Sequence, residues 1–134
     1  MYDTDIAQYL HDAGVGVFNQ AGANIFTHPV LPPSDYVPAK SVFIFAPTGG
    51  QQPSRMFDGA EIRYPAFTVR VRGNVNDYLD GQSFANTVYQ TLESAKIAGY
   101  IDCKCSQSQP VWIGYTNEMP EWNINIELWI EKTY

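Results

Sequence analysis

The chain is poor in the residues that most enzyme and metal sites require. It has only two histidines, His11 and His28, and two cysteines, which stand together in Cys103-Lys-Cys105. Residues two apart on a strand point the same way, so a disulfide between these cysteines would be strained. A metal ion would need two further ligands, and neither histidine has the spacing of a metal motif. We expect free thiols, no metal and no cofactor, with His11 solvated on a helix and His28 in a connection.

Signatures of catalysis and phosphate binding are also missing. No Gly-x-Ser-x-Gly elbow occurs, and Gly14-Val-Gly16 follows a predicted helix instead of opening one. Two carboxylate pairs could formally serve glycoside hydrolysis, Asp58 with Glu61 and Glu118 with Glu121. Their contexts read as loops, where solvated charge is the usual state. The sequence therefore predicts a protein that is not an enzyme.

Long apolar runs and excess positive charge are absent too. The longest uninterrupted apolar run is Val42 to Ala46, against about 20 residues for a membrane span. No basic segment followed by an apolar stretch opens the chain, so we expect a cytosolic protein with no membrane partner. Eight basic and fourteen acidic residues give a formal charge of −6, which disfavours nucleic-acid binding. With 134 residues, 45% of them hydrophobic, residues 1–134 are expected to form one domain.

Hydrophobic periodicity predicts two helices in a chain otherwise made of strands. One helix is expected over residues 5–13 and ends at Gly14, and a second is expected over residues 78–96. Four prolines between Pro29 and Pro38 predict an extended surface connection, and the glycines of residues 48–55 predict a flexible loop. Strands are predicted at residues 15–18, 24–27, 41–46, 62–73, 100–105, 111–115 and 122–132. The fold class is α+β, with a mostly antiparallel sheet packed on one face by two helices in a two-layer single domain.

The last predicted strand alternates clearly between apolar and polar residues, as expected for a sheet with one dry face and one polar face. Trp129 is the exception, because it falls on the polar face. Such a tryptophan is covered either by its own chain or by a partner subunit. The apolar set is Trp122, Ile124, Ile126, Leu128 and Ile130.

One unit of the chain resembles a known family. Phe67-Thr-Val-Arg-Val-Arg-Gly73 reads as a strand ending at a glycine, followed by the polar turn Asn74 to Asp77. An amphipathic helix then carries small and apolar residues at helical spacing up to Leu92. This strand–turn–helix unit, in a small acidic chain, resembles the tail terminator (tail-completion, or minor capsid) proteins of long-tailed bacteriophages.

The resemblance implies a virion structural protein. Members of that family assemble into a ring, usually a homohexamer, that caps the tail tube, ends its polymerisation and takes part in head–tail joining. The implied partners are copies of the chain, the tail tube protein and a head-completion or neck protein, with DNA passing through the lumen without specific binding. The implied place is the tail or neck of the virion, assembled in the host cytoplasm. The alternatives are another neck or head-completion component, or a small bacterial cytosolic ligand-binding domain.

Candidate contact residues follow from expected exposure and not from the family. We expect the loop Gly49 to Phe57 to protrude, and the strand arginines to face away from the core, where they could instead pair with acidic neighbours. On that basis, replacing both arginines with glutamate is predicted to spare folding. The candidate interface residues are Arg55, Met56, Phe57, Arg70, Arg72 and Trp129.

Overall fold

The computed structural model describes residues 2–20, 23–27, 40–46, 50–55, 59–93, 95–116 and 118–133. Both predicted helices are present, α1 at Tyr2–Asp12 and α2 at Tyr78–Glu93. Gly14, with φ +80°, lies just beyond α1. The Asp77 carboxylate caps α2, because Oδ1 accepts a hydrogen bond of 3.2 Å from the Asp80 N–H.

Eight strands of the described ranges form one sheet around a long central strand, β8. The sheet order is β1-β2-β5-β8-β4-β3, and β6 and β7 pair with the other edge of β8. Every pairing is antiparallel except that of β1 with β2. The strands are β1 Ile25–Phe26, β2 Ser41–Phe45, β3 Gln51–Arg55, β4 Ala60–Tyr64, β5 Ala66–Arg72, β6 Asp102–Cys105, β7 Val111–Thr116 and β8 Met119–Thr133.

The predicted strand at residues 62–73 is divided in two. β4 and β5 continue one ladder along β8, since Arg63 pairs with Ile130 and Ala66 pairs with Glu127. Pro65 lies between them and has no N–H to donate, but its carbonyl accepts a bond of 2.9 Å from the Leu128 N–H. Both halves of the predicted strand pair along the same edge of β8, and Pro65 interrupts the strand between them.

The prediction of a loop over residues 48–55 is wrong for its second half. Gln51–Arg55 forms β3, which pairs with β4 at the end of the sheet path. An edge strand accommodates Pro53 because one side of its backbone has no ladder to complete. The register shifts between Gln51 and Ser54, so the edge is irregular.

The core lies between the two helices and one face of the sheet. The predicted alternation of β8 is confirmed, because Trp122, Ile124, Ile126, Leu128 and Ile130 are all buried. Completely buried side chains of α1, α2 and the neighbouring strands meet them: Ile6, Leu10, Val42, Ile44, Val69, Val71, Val88 and Leu92. This two-layer α+β packing is the predicted fold class, and it leaves the other sheet face for polar residues.

α2 approaches the sheet closely at Gly81. A β-carbon there would lie 2.9 Å from ring atoms of Trp122 and 3.2 Å from Cγ of Pro120. One at Gly73, where β5 ends, would lie 2.8 Å from the Cα of Gly81. The two glycines therefore set the depth at which the helix packs.

Candidate assembly surfaces

The polar face of the sheet carries a ladder of cross-strand pairs between β5 and β8. The Thr68 hydroxyl donates to Oδ1 of Asn125 at 2.9 Å, and the Arg70 Nε donates to Oδ1 of Asn123 at 3.1 Å. The third pair is ionic and joins Arg72 to Glu121. All three pairs are directly opposed in the strand register. Side chains of alternate residues on neighbouring strands thus satisfy one another along this face.

The prediction that Arg72 is exposed is wrong. Its side chain is 5% exposed, Nη2 lies 2.8 Å from Oε2 of Glu121, and its guanidinium carbon lies 5.5 Å from the ring centroid of Phe43. The Thr116 hydroxyl donates to the other oxygen of Glu121. The alternative that strand arginines pair with acidic neighbours is confirmed here. A buried ion pair is a structural element and not an accessible contact.

Arg70 is only partly withdrawn from solvent. Its guanidinium carbon lies 5.3 Å from the ring centroid of Phe45 while Nε bonds to Asn123. The residue is half-buried. Arg70 therefore remains a candidate contact residue, with its position held by its own chain.

Trp129 is covered in part by its own chain. Its ring meets Tyr64 edge to face, with centroids 5.1 Å apart, and Lys104 Nζ lies 4.2 Å from the ring centroid. The indole Nε1 donates to Oε1 of Glu127 at 2.8 Å. The residue is half-buried, so one part of the indole is packed and another part faces outward. This polar-face cluster is defined as Tyr64, Lys104, Glu127 and Trp129.

Of the predicted loop contacts, only Arg55 can be placed. It ends β3 with an exposed side chain and lies opposite Glu61 of β4. Met56 and Phe57 lie outside the described residues. The predicted site residues are therefore not brought together: Arg55 lies at a sheet edge, whereas Arg70, Arg72 and Trp129 are distributed along the polar face.

An apolar surface that the sequence did not predict lies along β7, in the described part of the chain. β7 pairs only with β8, and Val111, Trp112, Ile113 and Tyr115 on it are all 42% to 56% exposed. Trp112 stacks edge to face on Tyr115, on the half-buried Tyr78 and on the buried Trp122. Hydrophobic content predicted a strand at this position. Hydrophobic content does not indicate whether the outer edge of a strand is covered, and no described residue covers the outer edge of β7.

The turn before α2 extends the same surface. The Asn76 N–H donates to the Glu118 carbonyl at 2.8 Å, which joins this turn to the β7–β8 hairpin. Val75 in the turn and Leu79 in the first turn of α2 are 52% and 74% exposed. We call this surface the β7 edge: β7 with Val75 and Leu79.

The two thiols and His11 are each held by local packing. Burial raises the pKa of Cys103 to about 12 and that of Cys105 to about 11, so both remain protonated thiols near neutrality. His11 was expected to be solvated, but it is half-buried and its Nδ1 accepts a bond of 3.1 Å from the Phe18 N–H. Within the described ranges, no group of three or more His, Cys, Asp or Glu side chains is placed to hold a metal ion.

Surface depressions in the described part of the chain differ in their lining. One of about 400 Å³ lies beside α2 and is lined by Tyr89, Glu93, Cys105 and residues 106–108. A second, of about 660 Å³, is lined by Glu93 and residues 95–102. Another of about 160 Å³ lies between α2 and the aromatic rings of Tyr78, Trp112 and Trp122. No helix in the part of the chain that the structure describes is long and apolar enough to cross a membrane.

The same architecture occurs in a protein of known structure. A chain of a solved structure described as "Virion of native gene transfer agent (GTA) particle" has the same fold, with a TM-score of 0.63 over 97% of this chain and 94% of that chain. The two sequences are 11% identical, so that likeness concerns the fold alone. No curated protein matches the sequence significantly.

Residues 9–132 match the family described as "Bacteriophage tail terminator protein". The protein is thus a structural protein of the bacteriophage tail. More specifically, the chain belongs to the bacteriophage tail terminator family. The resemblance carried by Phe67 to Gly73 and the following helix is confirmed.

Proposed function

We propose that this protein caps the end of the tail tube, ends its polymerisation and forms part of the head–tail joining surface as a ring of six subunits. The observation that carries the proposal is the family match, which extends over residues 9–132 and so includes both layers of the fold. Terminating a polymer requires two unlike surfaces, one that fits the last subunits of the tube and one that accepts no further subunits. The mechanism is surface complementarity, with no reaction to accelerate.

A ring requires each subunit to present two different surfaces to its neighbours. The described residues offer several that differ in chemistry. The β7 edge is apolar, the polar-face cluster around Trp129 is charged and aromatic, and β3 ends in the exposed Arg55. Surfaces that differ in this way support a head-to-tail arrangement of subunits.

The charge distribution supports a lumen through which DNA slides without specific binding. The chain carries a net charge of −6. The arginines of the polar face are held by their own chain, Arg70 by Asn123 and Arg72 by Glu121. Arginines held in this way gain less from neutralising phosphates, and an acidic surface repels the duplex. The proposed location is the neck of the virion, after assembly in the host cytoplasm.

The proposal is tested by removing the gene from the phage and supplying the protein from a plasmid. Without the protein, negative-stain images should show tails of irregular length that are not joined to heads. Supplying the wild-type protein should restore one uniform tail length and infectious particles. Tails of normal length in the absence of the protein would refute the capping role. Normal tails without attached heads would instead indicate another neck or head-completion component.

A further inference from the structure

The β7 edge has an unusual composition for an exposed sheet edge. All but one of the large exposed hydrophobic residues in the described ranges belong to it, and the other, Ile101, lies before β6. Edge strands are normally protected by charged residues that discourage pairing with other chains. Residues 105–117 contain no Asp, Glu, Lys or Arg. The absence of this protection marks the β7 edge as a surface that another chain covers.

Electrostatics favours a second copy of this chain as the occupant. Two copies with a charge of −6 each repel one another unless they meet where charge is absent or compensated. The β7 edge supplies the uncharged region. Its rim is acidic, because Asp77 and Glu118 are both exposed beside it. The matching surface should therefore carry a cation.

Such a cation lies at the opposite side of the sheet. β7 pairs with one edge of β8, whereas β4 and then β3 lie beyond the other edge. Arg55 at the end of β3 is exposed and forms no ion pair with any described residue. Because β7 and β3 are different surfaces on opposite sides, a contact between them is head-to-tail and can close into a ring.

We infer that the β7 edge of one copy packs against the β3 edge of the next copy, with Arg55 facing the acidic rim formed by Asp77 and Glu118. The inference rests on the proposed ring. Side chains carry the contact, not a continuous strand ladder. The register of β7 shifts between Trp112 and Gly114, that of β3 shifts between Gln51 and Ser54, and Pro53 has no N–H to donate.

The first test compares two substitutions of one type. Ile113 on β7 and Ile101 outside the β7 edge are 45% and 53% exposed. Ile113→Lys places a charge in the apolar contact. It should raise the protein concentration at which half of the subunits are assembled by roughly tenfold or more, as measured by light scattering and sedimentation. Ile101→Lys should assemble as the wild type does. Equal assembly of all three proteins would overturn the inference and leave the ring intact.

The second test exchanges charges and touches no apolar residue. Arg55→Glu should weaken assembly by roughly three- to tenfold, and Arg55→Glu with Glu118→Lys should restore much of the loss. Lys96→Glu, a change at another exposed cation, serves as the control. Loss of assembly without recovery in the double variant would show that Arg55 does not face Glu118.

Two other outcomes separate this inference from the proposed function. A wild-type protein that never associates, with or without tail tubes, would overturn both. Variants of the β7 edge that form normal rings but fail to bind tube ends would assign the β7 edge to the tube, which contradicts the contact between copies and supports capping.

Discussion

Arg72 and Glu121 form an ion pair inside the protein, with Nη2 of the arginine 2.8 Å from Oε2 of the glutamate and side chains 5% and 6% exposed. The same oxygen accepts a second bond of 3.1 Å from Nε. The two residues face one another across β5 and β8, where the hairpin with β7 begins. Since both charges are removed from water, each depends on the other for compensation.

Breaking this pair should be costly. We expect Arg72→Ala to lower the free energy of unfolding by about 3 to 5 kcal/mol, because it leaves an uncompensated buried carboxylate. Arg70→Ala should lower it by only about 1 kcal/mol, since Arg70 is half-buried and bonds to a neutral amide. Urea unfolding followed by circular dichroism measures both. Equal losses in the two variants would contradict the assigned burial.

Replacing both partners provides the control for this prediction. Arg72→Met with Glu121→Leu removes both charges and keeps similar volume, so it should fold with stability close to that of the wild type. A double variant as unstable as Arg72→Ala would show that the arginine acts through contacts other than the ion pair.

The close approach of α2 to the sheet gives a second prediction. Gly81→Ala should destabilise the protein by about 1 to 2 kcal/mol, although alanine favours helices, because its β-carbon would meet the buried Trp122 ring at 2.9 Å. Gln90→Ala, at an exposed position of the same helix, should change stability by no more than about 0.5 kcal/mol. Thermal unfolding compares the two. A stabilising Gly81→Ala would mean that the helix can move away from the sheet.

The third prediction concerns thiol reactivity. Burial raises the pKa of Cys105 to about 11 from an ordinary 9.0, with Glu93 adding to the effect. At pH 8 its thiolate is then roughly a hundredfold scarcer than that of an unperturbed cysteine. Iodoacetamide should label the folded protein slowly at pH 8 and faster with every rise in pH up to 10. Labelling of the folded protein as fast as in urea would contradict the burial of both thiols.

The same pKa shifts predict how stability depends on pH. In the folded state Cys103 and Cys105 hold their protons up to about pH 12 and 11, whereas in the unfolded chain they release them near 9. The folded state therefore binds more protons above pH 9, and stability falls as pH rises from 9 toward 11. Urea unfolding at pH 8 and pH 10 measures the fall. Cys103→Ala with Cys105→Ala should make it smaller, and an unchanged fall would assign it to other groups.

A fifth prediction separates packing from assembly at Trp129. Trp129→Ala should lower stability by about 1 to 2 kcal/mol, because the half-buried ring loses its contacts with Tyr64 and Lys104. Trp129→Phe should recover most of that loss in the isolated protein. If Trp129→Phe is stable but does not assemble, the outward part of the indole contacts a partner. If Trp129→Phe both folds and assembles normally, the residue serves the fold alone.

The sequence predicted those features that depend on local periodicity. The alternation of β8 identified its buried face residue by residue, and the apolar spacing of α2 identified its position to within three residues of its end, 93 against 96. The composition of Gln51–Arg55 is typical of a loop, but the segment forms β3. It does so because an edge strand is paired on only one side and therefore tolerates proline. The local sequence pattern therefore predicts well whether a segment is a helix or a strand, and predicts poorly which other elements that segment contacts.

The surfaces were harder to predict because they depend on distant pairings. Arg72 looked exposed by alternation, but its partner Glu121 lies 49 residues further along the chain. β7 looked like an ordinary strand, and its outer edge is exposed because no other strand of the described ranges pairs with it. Which face of an element is covered is decided by the tertiary fold, so the exposure of a side chain is harder to predict from sequence than the element that carries it.

The most direct test of the central claim is to image tail tubes, assembled from purified tube protein, after adding gold-labelled terminator. The account predicts gold at one end of each tube only, and no further elongation when fresh tube protein is supplied. Gold along the tube walls, or elongation at the same rate with and without the protein, would contradict it.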